Sequence, residues 1–271
     1  MATKRGAKPE TGKRGRRILN LVPSRGTEND WELSHALAAS AVKAPLATPS
    51  SVDLRASWWT IGNQLNTGSC VGWATADGVM RYLLVTAGKL PKTGRPSPRF
   101  VWMGSKETDQ YTARPETFVE EAGTSLKAAM DIVRKYGVVE DSAVPFQIGS
   151  LMYTGDENAL YAAASMLRVA SYYNLGRDLN KWKIWLSSRG PILAGLNVDD
   201  TWMNVKPDGM LNVFKPATVQ GGHAVCIVGY DAKRFIIRNS WGTGWGDKGF
   251  GYATPAYLNA AFFQESYGAT L

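Results

Sequence analysis

The stretch Gln64-Leu65-Asn66-Thr67-Gly68-Ser69-Cys70-Val71-Gly72-Trp73-Ala74-Thr75-Ala76-Asp77-Gly78-Val79-Met80-Arg81-Tyr82-Leu83-Leu84-Val85 decides how the rest of the chain is read. Thr67-Gly68-Ser69 forms a turn, and behind it Trp73, Ala76, Val79, Met80, Leu83 and Leu84 recur at the three- and four-residue intervals of one helix face. The spacing predicts a buried helix with Cys70 in its first turn. There, unpaired N–H groups and the positive dipole end stabilise a thiolate, the reactive form of a residue whose ordinary pKa is about 8.5. A free cysteine opening an apolar helix is more often a small buried hydrophobe, so Cys70 acts as a nucleophile only if a base stands near it.

Outward from this helix, further helices are predicted after Pro98, over Leu126 to Tyr136 and, more weakly, over Leu160 to Leu167 and Leu179 to Leu186. Beyond Gly190-Pro191 the apolar runs become short and strand-like: Ile192 to Leu196, Ala224 to Val228, and Phe235 to Ile237. Helices first and strands second argue for an α+β protein of two lobes, with a ligand cleft between them. No internal repeat is present.

Towards the N-terminus, residues 1–17 carry seven Lys/Arg against one acid, which leaves the other 254 residues at +2 of the total +8. This segment reads as a mobile tail, a solubilising arm or a contact for a polyanion such as nucleic acid or an anionic surface. Residues 18–51, with Pro23, Pro45, Pro49 and a short helical pattern from Trp31 to Val42, read as a leader packed on a body that begins near Val52. No apolar run approaches the roughly 20 residues of a membrane-crossing helix, and Ile18 to Val22 is too interrupted for a signal peptide. Two cysteines among 271 residues make no disulfide framework, and the expected setting is a cytoplasmic or otherwise reducing compartment.

Two histidines are present. His35 lies on an exposed face of the leader. His223 follows Gly221-Gly222 at the mouth of the most hydrophobic strand, and Asn239 comes at the end of the next one. A turn there places the Asn carbonyl against the imidazole, the arrangement by which the third member of a triad fixes tautomer and orientation. The alternative is a histidine serving structure alone, beside a turn of Asn, Gly and Trp. Gln64, six residues before Cys70, can donate to an oxygen at the thiol together with the Cys70 N–H. Cys226 alternates with His223 along its strand, so it faces the core when His223 faces the cleft. No cofactor is indicated, and these cysteines and histidines form no metal-ligand spacing.

Gln64 with Gly68-Ser69-Cys70, Gly222-His223-Ala224-Val225, Asn239-Ser240-Trp241-Gly242 with Gly244-Trp245-Gly246, and Gly249-Phe250-Gly251-Tyr252 together resemble the papain-like (C1) cysteine peptidases. Asp53-Leu54-Arg55, the helix leading to Gly137-Val138 and Pro145-Phe146, and Gly190-Pro191-Ile192 extend the resemblance over about residues 52–254. Thr67 and Val71 depart from it, occupying the places of a cysteine and a tryptophan. The disulfide made by that cysteine is then absent, as in bacterial or phage branches, and a phage-encoded, virion-associated protein is one reading. His223 lies 153 residues beyond Cys70, which implies an insertion within 146–180.

The resemblance implies a papain-like peptidase domain over 52–271. A mainly helical lobe spans about 60–185, an antiparallel β-barrel-like lobe spans about 190–254, and the cleft lies between them. It implies hydrolysis of a polypeptide substrate through a thioester, with Cys70 as a thiolate paired with protonated His223, Asn239 as orienter, Gln64 in the oxyanion site and Trp241 shielding the His223–Asn239 bond. Two alternatives stand beside it: an inactive papain-like binding or structural module held by the basic arm, and an acyltransferase using the same triad.

Overall fold

The computed structural model of the chain describes residues 17–43, 45–108, 122–146 and 155–271. Of the basic tail only Arg17 falls among them, and residues 147–154 of the stretch assigned to an insertion lie outside.

The helix after Cys70 is continuous over residues 70–86: an α-turn at Cys70–Gly72, a wider π-wound middle at Trp73–Met80, and α-helix again at Arg81–Thr86. Such π-wound stretches are rare and concentrate near functional sites. Every residue of the middle section is buried. Around it pack helices Pro98–Thr108 and Leu126–Lys135, the latter capped by Ser125, whose hydroxyl accepts the Ala128 N–H. Helix Glu157–Ser165 follows the undescribed residues, and helix Leu179–Ser188 is capped by Asp178. Among the described residues no helix is long and apolar enough to cross a membrane.

Eight strands form one sheet: β1 (Val52–Asp53), β2 (Ser171–Asn174), β3 (Ile192–Val198), β4 (Met210–Leu211), β5 (Gly221–Tyr230), β6 (Phe235–Arg238), β7 (Phe250–Ala253) and β8 (Phe262–Thr270). The order is β2-β8-β3-β5-β6-β7-β4, with β1 added to β5. The pairs are antiparallel except β4 with β7. The end strands β2 and β4 do not meet, so the sheet stays open, and this corrects the barrel-like expectation while leaving the α+β class intact. The sheet also runs past residue 254, because β8 inserts between β2 and β3, and it takes β2 from within the stretch read as helical. β8 escaped a period-2 reading because its core-facing positions are not all apolar. Gly268 makes room for the Trp185 ring, and the Ser266 hydroxyl accepts the Trp182 Nε1–H at 3.0 Å.

The central strand β5 divides two cores by its pleat. Ala224, Cys226 and Val228 face the helix of residues 70–86, whereas Val225 and Ile227 face a second core rich in tryptophan, with Trp182, Trp185, Trp202, Trp241 and Trp245. The leader contributes to both: Leu21 joins the first core, and Leu33, Ala36 and Val42 join the second.

Candidate active site

Cys70 opens the central helix, and its thiol faces the backbone N–H groups of Cys70, Val71 and Ala224, the last being the residue after His223 on β5. Helix start and strand mouth therefore meet at the sulfur. Asn239, following the last residue of β6, sits beside β5 and is almost fully buried.

The protonation pattern follows from one donor that has no choice. The Ser240 backbone N–H can only donate, and it reaches Asn239 Oδ1 at 2.8 Å, which fixes the orientation of that amide. His223 Nε2 lies 2.8 Å from the same oxygen and must therefore carry the hydrogen. The other ring nitrogen, Nδ1, is left with its lone pair. It is buried and has no hydrogen-bond partner among the described residues. The ring is held edge-on to Trp202, with centroids 5.8 Å apart, and its centroid lies 4.9 Å from that of Trp241.

Gln64 is fully buried. Its Oε1 accepts from Ser240 Oγ at 2.8 Å and its Nε2 donates to Thr67 O at 3.0 Å, so the amide is oriented from both ends. Cys226 packs against Gly78 of the central helix, where burial pushes its thiol up to about 12; it lies in the helix–sheet interface. His35 is exposed and forms a capping box with Glu32.

The leader enters this site. Arg17 places its guanidinium 5.2 Å from the centre of the Trp241 ring and donates from Nη1 to Leu65 O at 3.2 Å. Further along, Leu21 N–H donates to Gly222 O and Val22 N–H to Thr124 O, both at 3.1 Å. Residues 17–22 thus cross from the Gln64–Trp241 side to the Thr124–Gly222 side, and both Cys70 and His223 are wholly buried. Two glycines admit the passing backbone: a Cβ on Gly123 would stand 1.8 Å from Asn20 O, and one on Gly221 2.2 Å from Leu19 O.

Burial changes the expected charge state. Desolvation pushes the Cys70 thiol up to about 11 against the pull of the backbone amides of Ala224, Val71 and Cys70. Desolvation also pushes His223 down to about 4; the Asn239 bond opposes this and the Arg17 charge adds to it. Both shifts run toward the neutral forms, thiol and imidazole, and so against the thiolate and imidazolium expected from sequence, because burial penalises charge on either group.

Sequence reasoning overlooked four contributors. Ser240 orients both Asn239 and Gln64; Trp202 closes the aromatic wall; Arg17 read only as tail charge. Asp77, an acid within a buried helical run, carried a signal in the Arg81 one turn later. Among the described residues no three His, Cys, Asp or Glu side chains converge to hold a metal ion.

Known proteins resemble the chain in sequence and in fold. Ananain of Ananas comosus is 27% identical over 214 residues, 75% of this chain and 55% of ananain. An uncharacterized peptidase C1-like protein of Acanthamoeba polyphaga mimivirus is 28% identical over 143 residues, 48% of this chain and 46% of that protein. The chain thus spans about half the length of these curated relatives. The crystal structure of xylellain, a cysteine protease from Xylella fastidiosa, superposes with a TM-score of 0.77 over 96% of this chain and 98% of xylellain, at 20% identity, a likeness of fold. The sequence profile described as papain family cysteine protease matches residues 48–257. Covering most of the chain, that match makes this protein a member of the papain family of cysteine proteases.

Proposed function

We propose that the chain is a cysteine peptidase acting on polypeptides through Cys70, His223 and Asn239, and that residues 17–22 hold it in a latent state. The observation that carries this reading is the fixed proton pattern. Ser240 sets Asn239, Asn239 sets the Nε2–H tautomer of His223, and Nδ1 is left as a base beside the strand that touches Cys70.

When the leader segment lifts, water returns, and the thiol falls and the imidazole rises toward their ordinary values. The thiol proton passes to His223 Nδ1 and the sulfur bonds to the scissile carbonyl carbon. The oxyanion accepts from Gln64 Nε2–H and the Cys70 N–H. The C–N bond breaks as the leaving amine takes the proton from Nδ1. Water, deprotonated by the same nitrogen, then attacks the thioester, and the carboxylic acid leaves with Cys70 again a thiol. Throughout, the Nε2–H bond to Asn239 keeps the ring from turning, and Trp241 keeps water from that bond.

The test is cleavage of a peptide library by the intact protein, read by mass spectrometry, beside Cys70→Ala. Turnover by the wild type and none by the variant supports the assignment. Cleavage persisting without the sulfur ends it, and acyl transfer to an added amine in place of hydrolysis identifies a transferase.

A further inference from the structure

We propose that Asp77 is a positioning residue for this reaction: through three arginines its carboxylate clamps both segments of the two-stranded ribbon that carries Gln64 on one side and Asn239 on the other. The inference rests on the peptidase reading above.

Asp77 is wholly buried on the central helix and is met by three guanidinium groups. Oδ1 accepts from Arg81 Nη1 at 3.0 Å and Arg95 Nε at 2.9 Å, and Oδ2 accepts from Arg238 Nη2 at 2.7 Å. Each arginine reaches onward to the segment that leads to Gln64. Arg238 Nη2 donates to Thr60 O at 2.6 Å, Arg81 Nη2 to Trp58 O at 3.1 Å, and Arg81 and Arg95 both to Thr60 Oγ1, at 3.3 and 3.2 Å. Trp59 Nε1 donates to the Asp77 backbone oxygen at 2.7 Å, and the Arg238 guanidinium lies over the Trp59 ring.

The two segments pair antiparallel, with Gln64 N donating to Ser240 O at 2.8 Å, Gly242 N to Gly62 O at 2.9 Å, and Asn63 opposite Trp241. Thr60 and Arg238 therefore lie toward opposite ends of one ribbon, and the Arg238 side chain reaches along it to Thr60 O. The ribbon bears the amide assigned to the oxyanion, the histidine's orienter and the Trp241 indole, and both of its segments are tied through arginines to Asp77 on the helix that begins with Cys70. A single anion in contact with three cations makes the clamp electrostatic. Burial alone would raise the Asp77 pKa, and Arg238, Arg95 and Arg81 overcome that to hold it ionised. Without the negative charge, guanidiniums drawn into one buried site repel each other, and both Thr60 and Arg238 are free to move.

The backbone of Thr124 and Gly222, which bonds the leader over the site, belongs to other segments, so the effect falls on chemistry more than on binding. A misplacement near 1 Å at reacting groups costs on the order of 100-fold. Asp77→Asn is expected to lower kcat by about that factor with KM changed less than about threefold, and Asp77→Glu to recover part of it. Because the Asn239 bond raises the His223 pKa, the acid limb of kcat/KM moves to lower pH in Asp77→Asn. Arg238→Lys, which keeps the charge but cannot span Thr60 and Asp77 at once, is expected to act in the same direction and serves if Asp77→Asn fails to fold.

With two histidines in the chain, the His223 Nε2–H proton is assignable by NMR, a readout independent of turnover. It is expected to exchange faster with solvent in either variant. Folded variants with kcat within about threefold of wild type, a loss confined to KM, or an unmoved Nε2–H resonance would overturn the proposal. An inactive wild type in which that resonance still responds to Asp77→Asn would instead refute the peptidase reading and leave the clamp standing.

Discussion

Replacing Arg17 by alanine tests whether the leader segment governs access to the sulfur. The guanidinium stacks 5.2 Å from the Trp241 centroid and donates to Leu65 O at 3.2 Å. A cation–π contact contributes from about 0.5 kcal/mol when exposed to about 2 when desolvated, and a hydrogen bond from a charged donor about 1.5–3 kcal/mol. Arg17 is half-buried, so solvent screening reduces the pair together to about 2 kcal/mol. At about 1.4 kcal/mol per tenfold, Arg17→Ala is expected to raise the population with an uncovered cleft about 30-fold. The assay is the initial rate of Cys70 alkylation by an epoxide thiol-protease inhibitor, followed by mass spectrometry, with the exposed Lys233→Ala as control. Labelling about 30 times faster in Arg17→Ala and unchanged in the control is the expected result. Equal rates in Arg17→Ala and wild type, with unaltered thermal stability, would refute the idea that this contact holds the segment down.

Removing one oxyanion donor typically costs 100- to 1000-fold in turnover, so Gln64→Ala is expected to fold and to lose kcat by about that factor; undiminished turnover removes Gln64 from the mechanism. Glu265 is held above the ordinary carboxylate range by burial and by Asp30, with bonds from Ser24 and Tyr267 opposing. A raised carboxyl pKa stabilises the fold while the group is protonated, and that contribution is lost as pH rises through the folded-state value. Glu265→Gln is therefore expected to gain melting temperature over wild type at pH 8 and not at pH 4, and parallel melting curves at both would contradict this. Substituting Lys4, Arg5, Lys8, Lys13, Arg14 and Arg16 by serine, with Arg17 kept, is expected to abolish retention on heparin at low salt without changing peptide turnover; unchanged retention assigns the polyanion contact to the body.

The fold was legible where one face of an element is buried. The helix from Cys70, those after Pro98 and before Gly137, and strands β3, β5 and β6 lie where periodicity placed them. β8 was not, because its partners fill the space that side chains would otherwise signal: Trp185 over Gly268, and Trp182 onto Ser266. At the site, Cys70, His223, Asn239 and Gln64 announced themselves through residue type and order. The contacts around them did not. Ser240 holds Asn239 through a backbone N–H that every residue but proline possesses, and Arg17 belongs to a run whose other cations look identical in sequence. The shift of Cys70 and His223 toward their neutral forms was illegible for a third reason, since it depends on burial by a segment more than 45 residues from Cys70 along the chain.

The aromatic wall beside His223 gives the molecule an optical property of its own. Trp241 and Trp202 stand 4.9 and 5.8 Å from the imidazole, and Trp202 stacks on Trp245 at 5.3 Å. Indole emission is sensitive to nearby charge and to hydration, and both change when the guanidinium above Trp241 departs and the imidazole gains a proton. Intrinsic fluorescence recorded against time would then follow the passage from silent to competent enzyme without any added dye or substrate.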